Sequence, residues 1–454
     1  MNQSQESVSG ENYSLFDALR DRRSRRFGLG MKNEGGALAH KSRFAPKPLS
    51  EKEEAALVFA ACGITGYALA DLCYAPGAGG NIMAGLVGRT IGSGDAIHSV
   101  ALAVTNDEST WLLKRPRDFS PVELQELIQK SRSNEFTEIY QRSRVLLKPQ
   151  RAAPPVTPLV NISTNQWSAQ AAGTTNFVPI NDLSLLYING LLNVLDESNG
   201  AFILDERAGF RPAGLGRFAR SKGGHLEDDP KRGRVVTTKH VELMVAEFVS
   251  IEQGMMLQNL ALMTEALGLG GFPYFANHET GWFEALGFRM QTMPVSQYFG
   301  VNRFARVAFK ILQKDLSISI PLALEKNGHP LLKPFCPPYF PTMRAAVEAV
   351  VNLKFGSGGA FDGKTGIASW KDPAKISGKV PKISEAAFEA AVAYCEYLWA
   401  RYGRFPVHVA PFRTVVSFQA AHLDGEFYDK FYREEALSAA QREDFEKTRR
   451  AEKL

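Results

Sequence analysis

Apolar residues recur at helical spacing in several stretches of the chain. Leu15, Ala18 and Leu19 share one face of a helix that starts near Ser14 and runs into Arg22-Arg23-Ser24-Arg25-Arg26. Ser50 and Glu53 stand three residues apart, the spacing of a capping box, ahead of an apolar run from Ala55 to Ala70 that reads as a buried helix. His240 to Leu269 is the strongest helical segment. Its apolar positions Leu243, Val245, Phe248, Ile251, Met255, Met256, Leu260 and Met263 nearly encircle it, which predicts a place at the centre of the core. Gly268-Leu269-Gly270-Gly271 is its stop signal. A further helix runs from Ser384 to Tyr402 and ends at Gly403, and the charged tail from Glu434 is expected to be helical. Ala96 to Thr105, short and apolar between Gly94 and Asn106, reads as a buried strand.

Breaks in the pattern organise the rest. Ala75-Pro76-Gly77-Ala78-Gly79-Gly80-Asn81 must be a loop. Pro149 to Pro158 is the best candidate linker. The arginine- and glycine-rich stretch 207–234, with its acidic triplet Glu227-Asp228-Asp229, reads as a mobile surface insertion, and 354–384 as a second long loop. No repeat of fixed period is present. The length, 454 residues, suits two or three domains, or one domain with large insertions. Four dispersed cysteines without a CxxC pair disfavour a disulfide framework or zinc site and fit a reducing cytoplasm. The polar first residues carry no signal-peptide core, and no apolar run reaches the ~18 residues that span a bilayer. A net charge of +5 is too mild to indicate nucleic acid. Neither nucleic acid nor membrane is therefore expected as a partner.

Four constellations could carry chemistry. The arginine forks of Arg22, Arg23 and Arg26, with Ser24, match the donor geometry that phosphate oxygens take, although charge runs are commonly solvated turns. Gly77, Ala78, Gly79 and Asn81 form a loop whose backbone could approach a planar ring or an anion. The spacing is not that of a dinucleotide fingerprint, and a plain turn also fits. Gly268, Gly270 and Gly271 close the long helix, as an ordinary C-cap would. Arg404, in Tyr402-Gly403-Arg404-Phe405-Pro406, follows the last long helix, where a surface arginine is common.

In this order the four resemble the nitroreductase-like FMN flavoprotein family. Arg22, Arg23, Ser24 and Arg26 match its N-terminal phosphate motif. Pro76 to Asn81 stands where its Pro-Ser-x-x-Asn loop lies, with Gly77 in place of serine. Ala266 to Gly270 matches its Ala-Leu-Gly-Leu-Gly helix end, and Arg404-Phe405-Pro406 looks like its C-terminal Arg-Leu-Pro element. Gly88-Arg89-Thr90 through His98 is similar to a segment of the azoline-oxidising dehydrogenases of that superfamily.

The resemblance implies an α+β fold: a mixed, mainly antiparallel sheet flanked by helices, spanning 14–433. Large insertions fall at about 106–239 and 276–383, between a polar tail, 1–13, and a charged C-terminal helix, 434–454. It also implies a cytoplasmic FMN oxidoreductase, a homodimer with FMN at the subunit interface, or else an internal pseudo-dimer. Electrons would pass between NAD(P)H and a quinone-like or nitroaromatic acceptor. Alternatives are a flavin dehydrogenase of a peptide or heterocycle, or a flavin-sequestering protein without turnover.

Catalytic residues are not assigned, since the flavin supplies the chemistry. His98, Tyr274 and Asn277 are candidates for polarising substrate. The aromatics Phe272, Tyr274, Phe275, Trp282 and Phe283 could roof an aromatic substrate or simply fill the core. His278-Glu279 and His422-x-Asp424 offer two ligands each, too few for a metal site, and no metal is expected.

Overall fold

The computed structural model describes residues 13–156, 163–274, 279–301, 303–312, 314–364, 368–414 and 416–452. Among these, the main sheet has seven strands. Six of them are β1 (Val100–Thr105), β2 (Thr110–Leu113), β3 (Arg144–Lys148), β4 (Thr175–Asp182), β5 (Gly270–Tyr274) and β6 (Ser417–Ala421), lying in the order β5-β6-β4-β1-β2-β3. The seventh, Phe412–Arg413, pairs with the end of β4, and all these pairings are antiparallel. Every residue of β1 and β4 is buried. Both faces of the sheet are therefore covered, and these strands read as continuous apolar or satisfied runs rather than alternating ones. Pro179 sits inside β4 without breaking it. β6 pairs only with 175–177 and Phe412–Arg413 only with 181–182, so no strand on that side needs the N–H that proline lacks.

The long helix, Thr238–Ala266, crosses one face. Its C-terminal half, with Met256 and Leu260, packs on Val100, Leu102, Phe418 and the helix Glu51–Cys62. Its N-terminal half, with Val241, Val245 and Val249, joins a second core with the helices Ser184–Val194, Met343–Phe355 and Glu385–Tyr402. On the other face Ala101, Ala103, Val178 and Ile180 meet Trp282, Phe283 and Leu286, and Phe288, Leu324 and Leu332 of a three-stranded sheet. The class is α+β with a mainly antiparallel sheet, as expected.

Several local expectations need correction. The long helix is not encircled by core: Leu243, Phe248, Ile251 and Met255 are exposed. The run from Ala55 ends its helix at Cys62, where Gly63 turns to extended backbone and Ile64–Tyr67 becomes a strand. The strand expected from Ala96 begins at Val100, because Asp95, Ala96 and His98 hold positive φ. Pro149–Pro158 is no domain linker, since β3 and β4 on either side belong to one sheet. Ala152 of that segment is itself buried, its N–H donating to the hydroxyls of Thr105 and Thr110. The stretch 207–234 is not a loose insertion, because Ala213, Leu215, Ala219 and Leu226 are built into the core. The segment 106–239 supplies β2, β3 and the central β4, and 276–383 supplies the three-stranded sheet and Met343–Phe355. The tail from Glu434 opens with a 3-10 turn, Glu434–Ala436, and its α-helix starts at Ala439, capped by Ser438.

Candidate functional site

The helix Leu15–Asp21 is capped by the Ser14 side chain and ends where Arg22 leaves helical geometry. The following turn docks on the C-terminal end of the long helix. The Arg23 N–H donates to Glu265 Oε1 at 2.9 Å, and Arg25 Nη1 donates to both Glu265 oxygens at 2.7 and 2.9 Å. Arg25 Nε donates to the Ala436 carbonyl, and Gln441 Nε2 to Glu265 Oε2 and the Leu269 carbonyl. Burial pushes the Glu265 carboxyl up, against the opposing pull of the Arg25 guanidinium. Arg25 is thus committed to a buried pair and is structural.

The glycines at the helix end make this docking close. Gly268 holds φ +72° against the Ala440 carbonyl, and a Cβ on Gly270 would stand 2.2 Å from Leu423 and 3.2 Å from the Arg25 carbonyl oxygen. Gly271 faces the Phe418 ring as closely. Gly270 touches the arginine turn itself, Gly268 packs on Ala440 of the C-terminal helix and Gly271 on Phe418 of β6; none of the three lines the cleft in front of that turn.

That cleft has a volume of about 660 Å³, inside the range of small-molecule sites. Arg23, Ser24, Arg26 and Arg433 form its cationic end, and Phe27, Trp167, Phe427, Tyr428 and Tyr432 its aromatic wall. Phe27 stacks on Phe427 with centroids 4.1 Å apart and lies beside Trp167 at 5.9 Å. The Tyr428 hydroxyl accepts from the N–H groups of Arg26 and Phe27 at 3.0 and 3.2 Å. Burial raises that phenol to about 12, so it stays protonated with a hydrogen still to donate. Arg26 donates to Asn165 Oδ1 at 2.8 Å and lies over the Phe272 ring at 4.6 Å. The guanidinium groups of Arg22, Arg23, Arg26 and Arg433 have no carboxylate partner among the described residues, although the Arg23 backbone N–H is held by Glu265 and Glu435 also lines the cleft.

The other sequence-predicted residues lie elsewhere. Gly77, Ala78, Gly79 and Asn81 belong to a loop against the end of Ser184–Val194. There Asn81 Nδ2 donates to the Pro381 carbonyl and the Asn81 carbonyl accepts from buried Lys354. Gly77 and Gly79 with Asn81 line a separate hollow of about 420 Å³, which shares no lining residue with the arginine cleft. Arg404 is buried over the Tyr298 ring at 3.8 Å and donates to the carbonyls of Tyr298 and Val407. Its neighbourhood is the other end of the long helix, where Glu242 accepts the N–H groups of Val407 and His408. About 35 Å of helix separates Glu242 from Glu265. Within one chain, therefore, Arg404 and the glycine loop do not join Arg22 to Arg26, and the four constellations of the sequence do not form one site.

His98 is a core residue, its Nε2 2.7 Å from the Val87 carbonyl and its imidazole held near 3, chiefly by burial. Tyr274 is buried beside Phe272, and Asn277 lies outside the described residues. His422 pairs with Asp444 at 2.8 Å and lies 3.5 Å from Glu53. Burial works against its protonation, but the two carboxylates outweigh this and raise its pKa; the ligand atoms of Glu53, His422 and Asp444 all lie within 4.8 Å of one another. Sequence reasoning missed Trp167, Tyr428, Tyr432 and Arg433. The only local signal was the aromatic spacing of Phe427, Tyr428, Phe431 and Tyr432.

The cleft's form is that of a site for a flat, apolar body bearing an anionic group. Comparison with known proteins adds little to it. No family model matches the chain, and no curated protein does. Among solved structures, a Ralstonia eutropha JMP134 chain described as a "putative nitroreductase" aligns over 61% of this chain and 76% of that one, with 13% identity and a TM-score of 0.29. A likeness that low leaves the fold to rest on the strands and helices described above.

Proposed function

We propose that the protein is an FMN-dependent oxidoreductase of the nitroreductase-like type, passing electrons from NAD(P)H to a quinone-like or nitroaromatic acceptor. The observation that carries this reading is the pairing, in one cleft, of carboxylate-free arginines with an aromatic wall. The donor set fits FMN: Arg23, Arg26, Arg433 and the Ser24 hydroxyl would hold the phosphate, and Trp167, Phe27 and Tyr432 would flank the ring system. Bound FMN would supply hydride and single-electron transfer. The chain's own residues would bind, orient and exclude water. Arg25, neutralised by Glu265, would fix the turn without competing for the phosphate. Tyr428 would present its remaining hydroxyl hydrogen to a ligand oxygen, and the aromatic side chains would lower the dielectric around the anion and strengthen each arginine contact.

Family resemblance implies FMN at an interface between two chains. On that reading, the glycine loop or Arg404 would reach the cleft only from a second copy. The test is titration of apoprotein with FMN, followed by flavin absorbance and fluorescence quenching. Wild-type protein should bind, and Arg23→Gln with Arg26→Gln should weaken binding by at least tenfold, the scale of losing charge-assisted bonds. A folded wild-type protein that stays colourless and quenches no flavin would overturn the proposal. Binding without oxidation of NADH or NADPH in the presence of a quinone would leave a flavin-sequestering protein.

A further inference from the structure

Between Tyr298 and Ser317 the chain carries the helix Arg303–Ile311 on the outside of the molecule, and none of its described side chains is buried. Phe304 is 89% exposed, Ile311 74%, Leu312 62% and Val307 58%; Leu316, just beyond, is 72% exposed. At 100° per residue, Phe304, Val307, Ala308, Ile311 and Leu312 fall within an arc of about 140°. Arg306 and Lys310 project from the opposite side, and Lys314 follows. The nearby acid, Asp315, is turned back onto the body, its carboxylate accepting from the Ser296 N–H at 2.9 Å and hydroxyl at 2.6 Å. Phe309, 41% exposed, falls between that arc and Arg306, so the helix is apolar round more than half of its surface; its charged residues, Arg306 and Lys310, are both cations, with Asp315 in electrostatic reach of Arg306.

Such a helix needs a cover. An isolated helix of this length is marginal in water, and its stability comes from packing an amphipathic face. Large apolar residues scattered singly on a surface need no explanation, but a contiguous row does. The sign of the charges points to what covers it. A helix seated in a protein groove turns its polar face to solvent, where acid and base serve equally. A helix lying at the headgroup plane of a bilayer turns its polar face toward lipid phosphates, where cations are favoured. Arginine and lysine can also lay their methylene stems along the apolar boundary while their charged heads reach the phosphates. No helix among the described residues is long and apolar enough to cross a membrane. The feature is one of surface attachment, which leaves no spanning signature.

We propose that the helix Arg303–Ile311, with Leu312 and Leu316, binds the surface of an anionic lipid bilayer and makes this a peripheral membrane protein. The proposal does not depend on the flavin reading. It is tested by floating the full-length protein with vesicles of phosphatidylcholine alone and of phosphatidylcholine with phosphatidylserine. Binding is expected to the anionic vesicles, weakened by added salt. Arg306→Gln with Lys310→Gln should lower the affinity about thirtyfold, from about fivefold per cation lost. Phe304→Ser with Ile311→Ser should abolish flotation while leaving the thermal melt unchanged, since both side chains lie in solvent. The proposal fails if the wild-type protein does not float with anionic vesicles. It also fails if the Phe304→Ser, Ile311→Ser protein changes from dimer to monomer in sedimentation without any lipid dependence, which would assign the stripe to a second copy of the chain.

Discussion

The two ends of the long helix pose the same problem and solve it differently. Each buries a glutamate, Glu265 at one end and Glu242 at the other, and each lies beside an arginine of a sequence motif. Glu265 takes the Arg25 guanidinium directly and leaves the guanidinium groups of Arg23 and Arg26 without acidic partners among the described residues. Glu242 instead takes the backbone N–H groups of Val407 and His408, while Arg404 turns its Nη2 to the carbonyls of Tyr298 and Val407 and buries its Nη1. A structural pair at the first end thus frees cations for a ligand. At the second end the motif arginine is itself part of the packing. Arginine motifs are informative only once their local acceptors are known.

The first end should be the more fragile. Arg25 and Glu265 are both almost fully buried, so Arg25→Met leaves an uncompensated carboxylate and should cost about 3–5 kcal/mol. Urea denaturation should show this, and the double change Arg25→Met, Glu265→Met should recover much of the loss. If the single change proves mild, Glu265 is not the anchor of the arginine turn.

The second end should instead respond to pH. Burial lifts the Glu242 carboxyl from an ordinary 4.5 to about 7, despite its two backbone donors and the nearby Arg404 and Arg207. The folded state then keeps a proton that the unfolded chain has already released. Its contribution is complete below the unfolded value and is lost as pH rises toward 7, a fall of up to about 3 kcal/mol. Stability measured from about pH 5 to about pH 8 should decline in the wild type and decline less in Glu242→Gln. Equal slopes in the two proteins would show that Glu242 is ionised when folded.

The glycines sharpen the contrast between the cleft and the loop. Gly270→Ala drives a methyl group into Leu423 and toward the Arg25 carbonyl, and should cost about 1–3 kcal/mol by overpacking and also weaken FMN binding. Gly77 also has positive φ, +76°, but its nearest neighbour would be Ser198 Cβ at 3.8 Å. Gly77→Ala should therefore cost only the strain of left-handed backbone, about 1–2 kcal/mol, with FMN affinity unchanged. Thermal melts and flavin titrations separate the two cases.

These contrasts mark what was legible in the chain. Helix ends were, because their chemistry is local: Ser50 with Glu53, Ser384 and Gly403 all act within one turn. The arginine turn was legible as a cation cluster for the same reason. The facing of the long helix was not, since apolar residues on every side say nothing about which side is covered. Nor was the aromatic half of the cleft. Tyr428 meets Arg26 across 402 residues of sequence, and Asn165 meets it across 139. Those contacts exist only because β5 and β6 pair beneath them, a long-range event that no short motif encodes.

A substitution expected to leave FMN affinity unchanged decides most about how the site is assembled. In one chain Arg404 lies near Glu242, about 35 Å of helix from the arginine turn; its Nη2 donates to backbone carbonyls, and its buried Nη1 has no partner among the described residues. Arg404→Gln should therefore destabilise the fold modestly, by about 1–3 kcal/mol for the lost buried bonds, and leave FMN affinity unchanged. Arg23→Gln should do the reverse, since its guanidinium reaches only the carbonyls of Arg20 and Arg22 and is exposed. If Arg404→Gln does weaken FMN binding in a protein that is still folded, a second chain must deliver that arginine to the cleft. Mixing the Arg404→Gln and Arg23→Gln proteins should then restore some sites at full affinity, because one of the two sites at the interface of a mixed dimer would carry both arginines. A monomer with a complete site would show no such rescue.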